Sequence, residues 1–227
     1  MWCAAAARRV HDGRSRDGAR PLKHQHHWIT PPGPADDGLT IGLLGGSFDP
    51  AHAGHLYVSD IARKVLKLDY VWWLVSPGNP LKPEPEVLAA RLSRARLAAR
   101  HHPFIRVTDI EQRLGTRYTI DTIRALRRRF PRLRFIWLMG SDNLEQFARW
   151  RRWQQIARLV PIVVVRRPGS VLAPLHAPLA RRLGVARRTG PAPCLLVLDG
   201  RRNWDSSTAL RQQALGAAIE AMVNLTP

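Results

Sequence analysis

The chain of 227 residues contains two cysteines, Cys3 and Cys194. One lies in a polar stretch and the other begins an apolar run, which argues against a disulfide framework or a four-cysteine zinc site. Long apolar runs are missing too. None approaches the roughly 20 residues that cross a bilayer, and the N-terminus lacks the charged, apolar and small-residue order of a secretory signal. A cytoplasmic protein with no membrane partner is expected. No G-x-x-x-x-G-K-[ST] phosphate loop, internal repeat or heptad array is present. Acidic residues are scarce, 17 against 36 Lys and Arg, for a formal charge of +19.

Much of that charge lies in helical-looking stretches: "RLSRARLAAR" (91–100), "RALRRRF" (124–130) and "RWRRW" (149–153). A basic surface attracts polyanions, so nucleic acid and small phosphorylated substrates both come into view. The plainer alternative is a solvated arginine-rich face. The eight tryptophans fall mostly within apolar runs or beside helix faces, whereas a stacking platform would spread them over a polar surface. Neither an RNP segment nor a zinc finger occurs, so no specific nucleic-acid partner is expected.

Residues 1–38 mix Arg, His, Gly, Pro and Asp without periodicity and end in "TPPGPADDG". They read as a disordered N-terminal extension. Asp12 and Asp17 argue against an organelle transit peptide; a flexible extension or an overcalled start codon fits better. Residues 39–227 form a single domain.

Within it, short apolar runs alternate with helical patterns. "TIGLLGG" (40–46), "YVWWLVS" (70–76), "FIRVTDI" (104–110), "LRFIWLMG" (133–140) and "VPIVVVRR" (160–167) read as strands. "HLYVSDIARKVLKL" (55–68), "VLAARLSRARLAAR" (87–100), "YTIDTIRALRRRF" (118–130) and a stretch within 141–159 read as helices. Strands apolar on both faces and joined by helices imply a doubly wound, Rossmann-like α/β domain with a parallel sheet. Ligands bind such sheets beyond the carboxyl ends of the strands.

The first such edge carries "GLLGGSFDPAHAGH" (42–55). Gly45 and Gly46 would let a phosphate approach backbone N–H groups, and the following helix start favours an anion; an ordinary strand-to-helix turn also likes glycine. His52 and His55, at i and i+3, share one side of a helix beginning near Ala53. Paired imidazoles can donate hydrogen bonds to phosphate and stabilise charge on a transferring phosphoryl group. Metal ligation competes poorly, because Asp49 is the only third ligand nearby.

"GGSFDPAHAGH" resembles the G-G-[ST]-F-D-P-x-H-x-G-H signature of the H-x-G-H nucleotidylyltransferases, and its details resemble the bacterial nicotinate-nucleotide adenylyltransferases. The resemblance implies that Gly45, Gly46, Ser47, Phe48, His52 and His55 cradle ATP phosphates. "DSSTALR" (205–211) is similar to the family's [IV]-S-S-T-x-[IL]-R element, with Asp205 in place of the usual apolar residue. Ser206, Ser207 and Thr208 suit a helix start and Arg211 would reach the same phosphates. "WWLVSPGNPLK" (72–82) resembles a loop in which Lys82 faces phosphate and Asn79 lines the acceptor side. "RYTIDTIRAL" (117–126) resembles the Y-T-x-x-T helix start, where Tyr118 and Thr119 would receive the mononucleotide. "MGSDNLEQFARWRRW" (139–153) puts Asp142 near adenosine or ribose and Trp150 on the pyridine ring, and "VVVRRPG" (163–169) puts Arg167 near adenine.

The implied reaction is attack by the 5′-phosphate of nicotinate mononucleotide on the α-phosphorus of ATP, giving nicotinate adenine dinucleotide and pyrophosphate. His52, His55, Lys82 and Arg211 would carry the catalytic charge, with Mg²⁺ bound through the ATP phosphates and no protein metal ligand assigned. Phosphopantetheine adenylyltransferase typically has threonine where His52 stands and lacks the Y-T-x-x-T and tryptophan-bearing elements. Choice between acid and amide mononucleotide rests on contacts invisible in sequence.

Overall fold

The computed structural model describes residues 30–78, 87–166 and 178–199. Among them run β1 (Thr40–Gly46), α1 (Ala53–Leu66), β2 (Tyr70–Val75), α2 (Leu88–Ala99), β3 (Ile105–Thr108), α3 (Ile110–Arg113) and α4 (Thr119–Arg129). There follow β4 (Arg134–Gly140), α5 (Ser141–Phe147), α6 (Trp153–Leu159), β5 (Ile162–Val165), a helix here numbered α7 (Pro178–Leu183), and β6 (Leu195–Leu198). The six strands form one sheet in the order β3-β2-β1-β4-β5-β6, with every neighbouring pair parallel. This is the Rossmann-like α/β sheet the alternation predicts.

Alternate residues of each strand feed two cores, one on each face. Ile41, Leu43, Trp72, Leu74, Trp137 and Met139 enter the face covered by α3, α4, α5 and α6. Leu44, Val71, Trp73, Val75, Ile136 and Leu138 enter the face covered by α1 and α2. Burial on both sides is what makes these strands continuous apolar runs instead of alternating ones. The chain winds from β1 through β2 to β3 and then returns to β4 on the opposite side of β1. Beyond the carboxyl ends of β1 and β4 the connections diverge, and a crevice follows from that reversal.

Beyond α7 and β6, which the sequence reading did not name, three features depart from it. The stretch 141–159 is two helices, broken at Arg149–Arg152, where Arg152 takes a left-handed φ of 53° at the N-cap of α6. The one-turn α3 carries too few residues to show a period. Residues 30–38, assigned by composition to the disordered extension, lie against the folded body: Arg113 donates to the Thr30 carbonyl at 3.0 Å, the Gly38 N–H donates to Arg132 O, and Ala35 packs on the core. The extension's boundary at residue 38 is therefore set too late, because prolines and glycines can follow a surface without forming regular structure. Among the described residues, no helix is long and apolar enough to cross a membrane.

Candidate active site

β1 delivers Gly45 and Gly46 to the carboxyl edge of the sheet at its centre. A Cβ on Gly45 would lie 2.6 Å from the outer edge of the buried Trp137 ring. That position is glycine because the neighbouring strand's indole occupies the space. Gly46 is different: a Cβ there would make ordinary contacts with Phe48 and stand 3.8 Å from His55 Nε2. The Cβ side of Gly46 thus faces the Phe48 ring and an imidazole nitrogen.

The turn after β1 brings the histidines together through backbone chemistry. His52 is the N-cap of α1, and its Nδ1 accepts the Gly54 N–H at 3.0 Å. His55 Nδ1 reaches back to accept the His52 N–H at 3.2 Å. This is a capping box built from two imidazoles where a hydroxyl and a carboxylate commonly serve. A nitrogen that accepts a backbone N–H carries no proton, so in each neutral ring the N–H sits on Nε2. The cap therefore turns both rings into donors at their outer nitrogens, and their centroids lie 4.0 Å apart.

Packing fixes the rings further. Phe48, with φ 49° and a fully buried side chain, stacks against Trp73 at 5.0 Å and lies 4.5 Å from His55. Its side chain belongs to the core, so any contact Phe48 makes with a phosphate must come from its backbone. Trp73 donates to Ser59 Oγ, and that hydroxyl donates to the His55 carbonyl, both at 2.8 Å.

At the start of α4, Tyr118 is the N-cap and Thr119 the first residue. The Arg151 guanidinium lies 4.6 Å over the Tyr118 ring. Trp150 is half-buried, edge-on to Trp137 at 5.9 Å and against Phe147 at 5.2 Å. Asp142 is exposed in the first turn of α5, just past β4, the strand beside β1. Asn79, Lys82, Arg167, Ser206, Ser207, Thr208 and Arg211 lie outside the described residues.

Four residues that the sequence reading passed over hold these parts in place. Arg91 of α2 is fully buried and donates to Ser47 O at 2.6 Å and Ser76 O at 2.8 Å. It clamps the turn after β1 to the loop after β2. Burial lowers its guanidinium from the usual value, and the charge of Asp49 acts in the opposite direction. Ser76 also donates its N–H to Gly46 O at 2.9 Å. Glu111 of α3 accepts from Thr122 Oγ1 at 3.1 Å, and burial pushes its carboxyl up to about 7 despite the Thr122 and Ser76 hydrogen bonds. A signal existed for Arg91, which shares a helix face with the buried Leu92, Ala95 and Ala99: a charge on an apolar stripe has to find partners.

Sheet order, switch point and histidine turn define a nucleotidyltransferase class, and the sequence profile of the cytidylyltransferase-like family matches residues 43–213. The chain is 56% identical over 169 residues to the "Probable nicotinate-nucleotide adenylyltransferase" of Cereibacter sphaeroides (strain ATCC 17025), covering 70% of this chain and 91% of that protein. It is 48% identical over 187 residues to the protein of the same name in Parvibaculum lavamentivorans, covering 78% and 92%. The chain belongs to the nicotinate-nucleotide adenylyltransferase family. A fold likeness extends to Plasmodium falciparum nicotinic acid mononucleotide adenylyltransferase complexed with NaAD, with TM-score 0.59 and 16% identity over 77% of this chain and 83% of that one.

Proposed function

We propose that this chain transfers the adenylyl group of ATP to nicotinate mononucleotide, in NAD biosynthesis. An oxygen of the mononucleotide's 5′-phosphate attacks the α-phosphorus; the bond from that phosphorus to the bridging oxygen breaks, and pyrophosphate leaves with the electron pair. The attacking phosphate is already an anion, so no general base is required. Positioning and charge neutralisation do the rest.

The observation that carries this reading is the imidazole capping box at the switch point, which leaves the N–H of each neutral ring on Nε2, with His55 Nε2 3.8 Å from where a Cβ on Gly46 would lie. Those N–H groups would bind the α-phosphate and the departing pyrophosphate, with Gly45, Ser47 and the Phe48 backbone shaping the turn. Lys82 and Arg211 would add positive charge, and Ser206, Ser207, Thr208, Asp142 and Arg167 would complete the ATP side. Asn79, Tyr118, Thr119 and Trp150 would receive the mononucleotide.

Among the described residues, no group of three or more His, Cys, Asp or Glu could hold a metal ion. A protein-built Mg²⁺ cage does not fit this part of the chain, whereas an ion carried by phosphate oxygens and water needs few protein ligands. Catalysis in the cytoplasm, with no specific nucleic-acid partner, completes the proposal.

Pyrophosphate release from ATP tests it, with nicotinate mononucleotide, nicotinamide mononucleotide and phosphopantetheine compared as acceptors. The acid mononucleotide should give the highest kcat/KM. His55→Ala should lower kcat about 100-fold or more, as loss of an oxyanion-type donor does, with an unchanged circular dichroism spectrum. Full turnover in that variant would remove the imidazoles from the mechanism.

A further inference from the structure

The break between α5 and α6 is a closed turn. The Trp153 N–H donates to Trp150 O at 3.2 Å, with Arg151 and the left-handed Arg152 between them. Both indoles pack on the buried Phe147, Trp150 at 5.2 Å and Trp153 at 6.0 Å. Arg124 of α4 donates to Gln155 Oε1 of α6 at 2.7 Å and ties the two helices side by side. The backbone at Arg151 is thereby held against the start of α4.

The side chain has a defined place as well. Its guanidinium carbon lies 4.6 Å from the centroid of the Tyr118 ring, and Tyr118 itself packs on the core. A long cationic side chain held over a ring has already given up much of the freedom it would lose on binding an anion. The ring contact commits none of its N–H donors to an oxygen. Among the described residues no carboxylate pairs with Arg151, since Asp121, the acid of the first turn of α4, pairs with Arg124 at 3.9 Å. Arg151 remains exposed.

Its position connects it to the histidine turn. Trp150 stands edge-on to Trp137 at 5.9 Å, and the outer edge of Trp137 lies 2.6 Å from where a Gly45 Cβ would be. Gly45, Trp137, Trp150, Arg151 and Tyr118 therefore make one continuous line from the end of β1 to the start of α4.

We propose that Arg151 selects the acceptor: its guanidinium binds the pyridine carboxylate of nicotinate mononucleotide, and the neutral carboxamide of nicotinamide mononucleotide forms no ion pair there. The proposal rests on the adenylyl-transfer reading, which assigns Tyr118, Thr119 and Trp150 to the mononucleotide. Arg151 follows Trp150 in the chain and covers Tyr118, so it stands between the two halves of that set. The two mononucleotides share ring, ribose and phosphate and differ in one charged group. A planar guanidinium recognises such a carboxylate through two parallel N–H···O bonds. Arg117, Arg149 and Arg152 are exposed nearby, but Arg151 is the one held over the Tyr118 ring. The first N–H groups of α4 favour an anion too, so substitution has to isolate the share that Arg151 carries.

The test measures kcat/KM for both mononucleotides, at saturating ATP, in wild type, Arg151→Met and Arg151→Lys. In Arg151→Met the acid-over-amide ratio should fall about tenfold or more, the scale of a hydrogen bond to a charged group. Arg151→Lys keeps the charge without the fork and should lie between the other two. A residue that only pinned Tyr118 would weaken both acceptors alike, and the ratio cancels that loss. Arg151→Gln, also neutral, decides the matter if Arg151→Met fails to fold. An unchanged ratio in the neutral variant overturns the proposal, as does a wild type that uses acid and amide equally well. In both cases pyrophosphate release with nicotinate mononucleotide leaves the adenylyl-transfer reading standing. No release from wild type with either mononucleotide defeats that reading, and the role of Arg151 falls with it.

Discussion

At the residue scale, His52 has two separable duties. Its Nδ1 caps α1, and its Nε2–H is the donor proposed for phosphate. Asparagine is a strong N-cap but places no donor where the outer ring nitrogen stands. His52→Ala should lower stability by about 1 kcal/mol and reduce turnover, whereas His52→Asn should recover most of the stability and little of the turnover. Urea denaturation beside steady-state kinetics checks this, and joint recovery of both properties would show that the ring does no more than cap. The sequence exposed these histidines because two of them three residues apart beside a double glycine have no packing rationale. It could not show that each ring's inner nitrogen is used by the backbone, since that depends on where the helix begins.

At the element scale, α2 is more than cover for the sheet. Arg91 projects from its buried face to carbonyls at the ends of β1 and β2, tying together turns 29 positions apart, Ser47 and Ser76. Arg91→Met preserves length and apolar contact but strands those carbonyls, at a cost of about 2–4 kcal/mol for hydrogen bonds to a charged group. The denaturation midpoint should fall, and KM for both substrates should rise together because both turns loosen. An unchanged midpoint would show the clamp to be dispensable.

Elements with a strong period were legible: α1 and α4 from their spacing, and β1, β2, β4 and β5 from apolar runs. What escaped was short or interrupted. α3 has four residues, and the break at Arg149–Arg152 depends on a left-handed Arg152 that no local residue preference announces. Leu195–Leu198 is only four residues long, too few for an apolar run to distinguish strand from loop. Arg91 occupied a position where helical periodicity expects an apolar side chain, and Glu111 sits in a helix too short to show a period, so their meaning emerged only with their partners.

At the scale of the whole molecule, Glu111 makes stability depend on pH in a direction opposite to that of a salt-bridged carboxylate. Its folded value, about 7, lies above the ordinary 4.5. The native state therefore binds the proton more tightly than the unfolded chain. That contribution is fully present below pH 4.5 and is lost as pH rises towards 7, amounting to about 3 kcal/mol at most. Stability of wild type relative to Glu111→Gln should fall by that order between pH 4.5 and 8, measured by urea unfolding at each pH. A pH-independent difference would place the carboxyl in its ordinary range. Doubly wound topology was legible because every connection between apolar runs was long enough for a crossover. The contact between Glu111 and Thr122 was not, since the two meet only after α3 and α4 have assembled.

The stacking of Trp73 behind the histidine turn also supplies a built-in optical gauge. Its indole lies 5.0 Å from Phe48 and 5.8 Å from His55, on the opposite face of the sheet from Trp72 and Trp137. An arriving polyphosphate changes the electric field across that one ring, so ATP titration should shift emission in wild type and much less in Trp73→Phe. Nucleotide occupancy could then be followed in real time without a label.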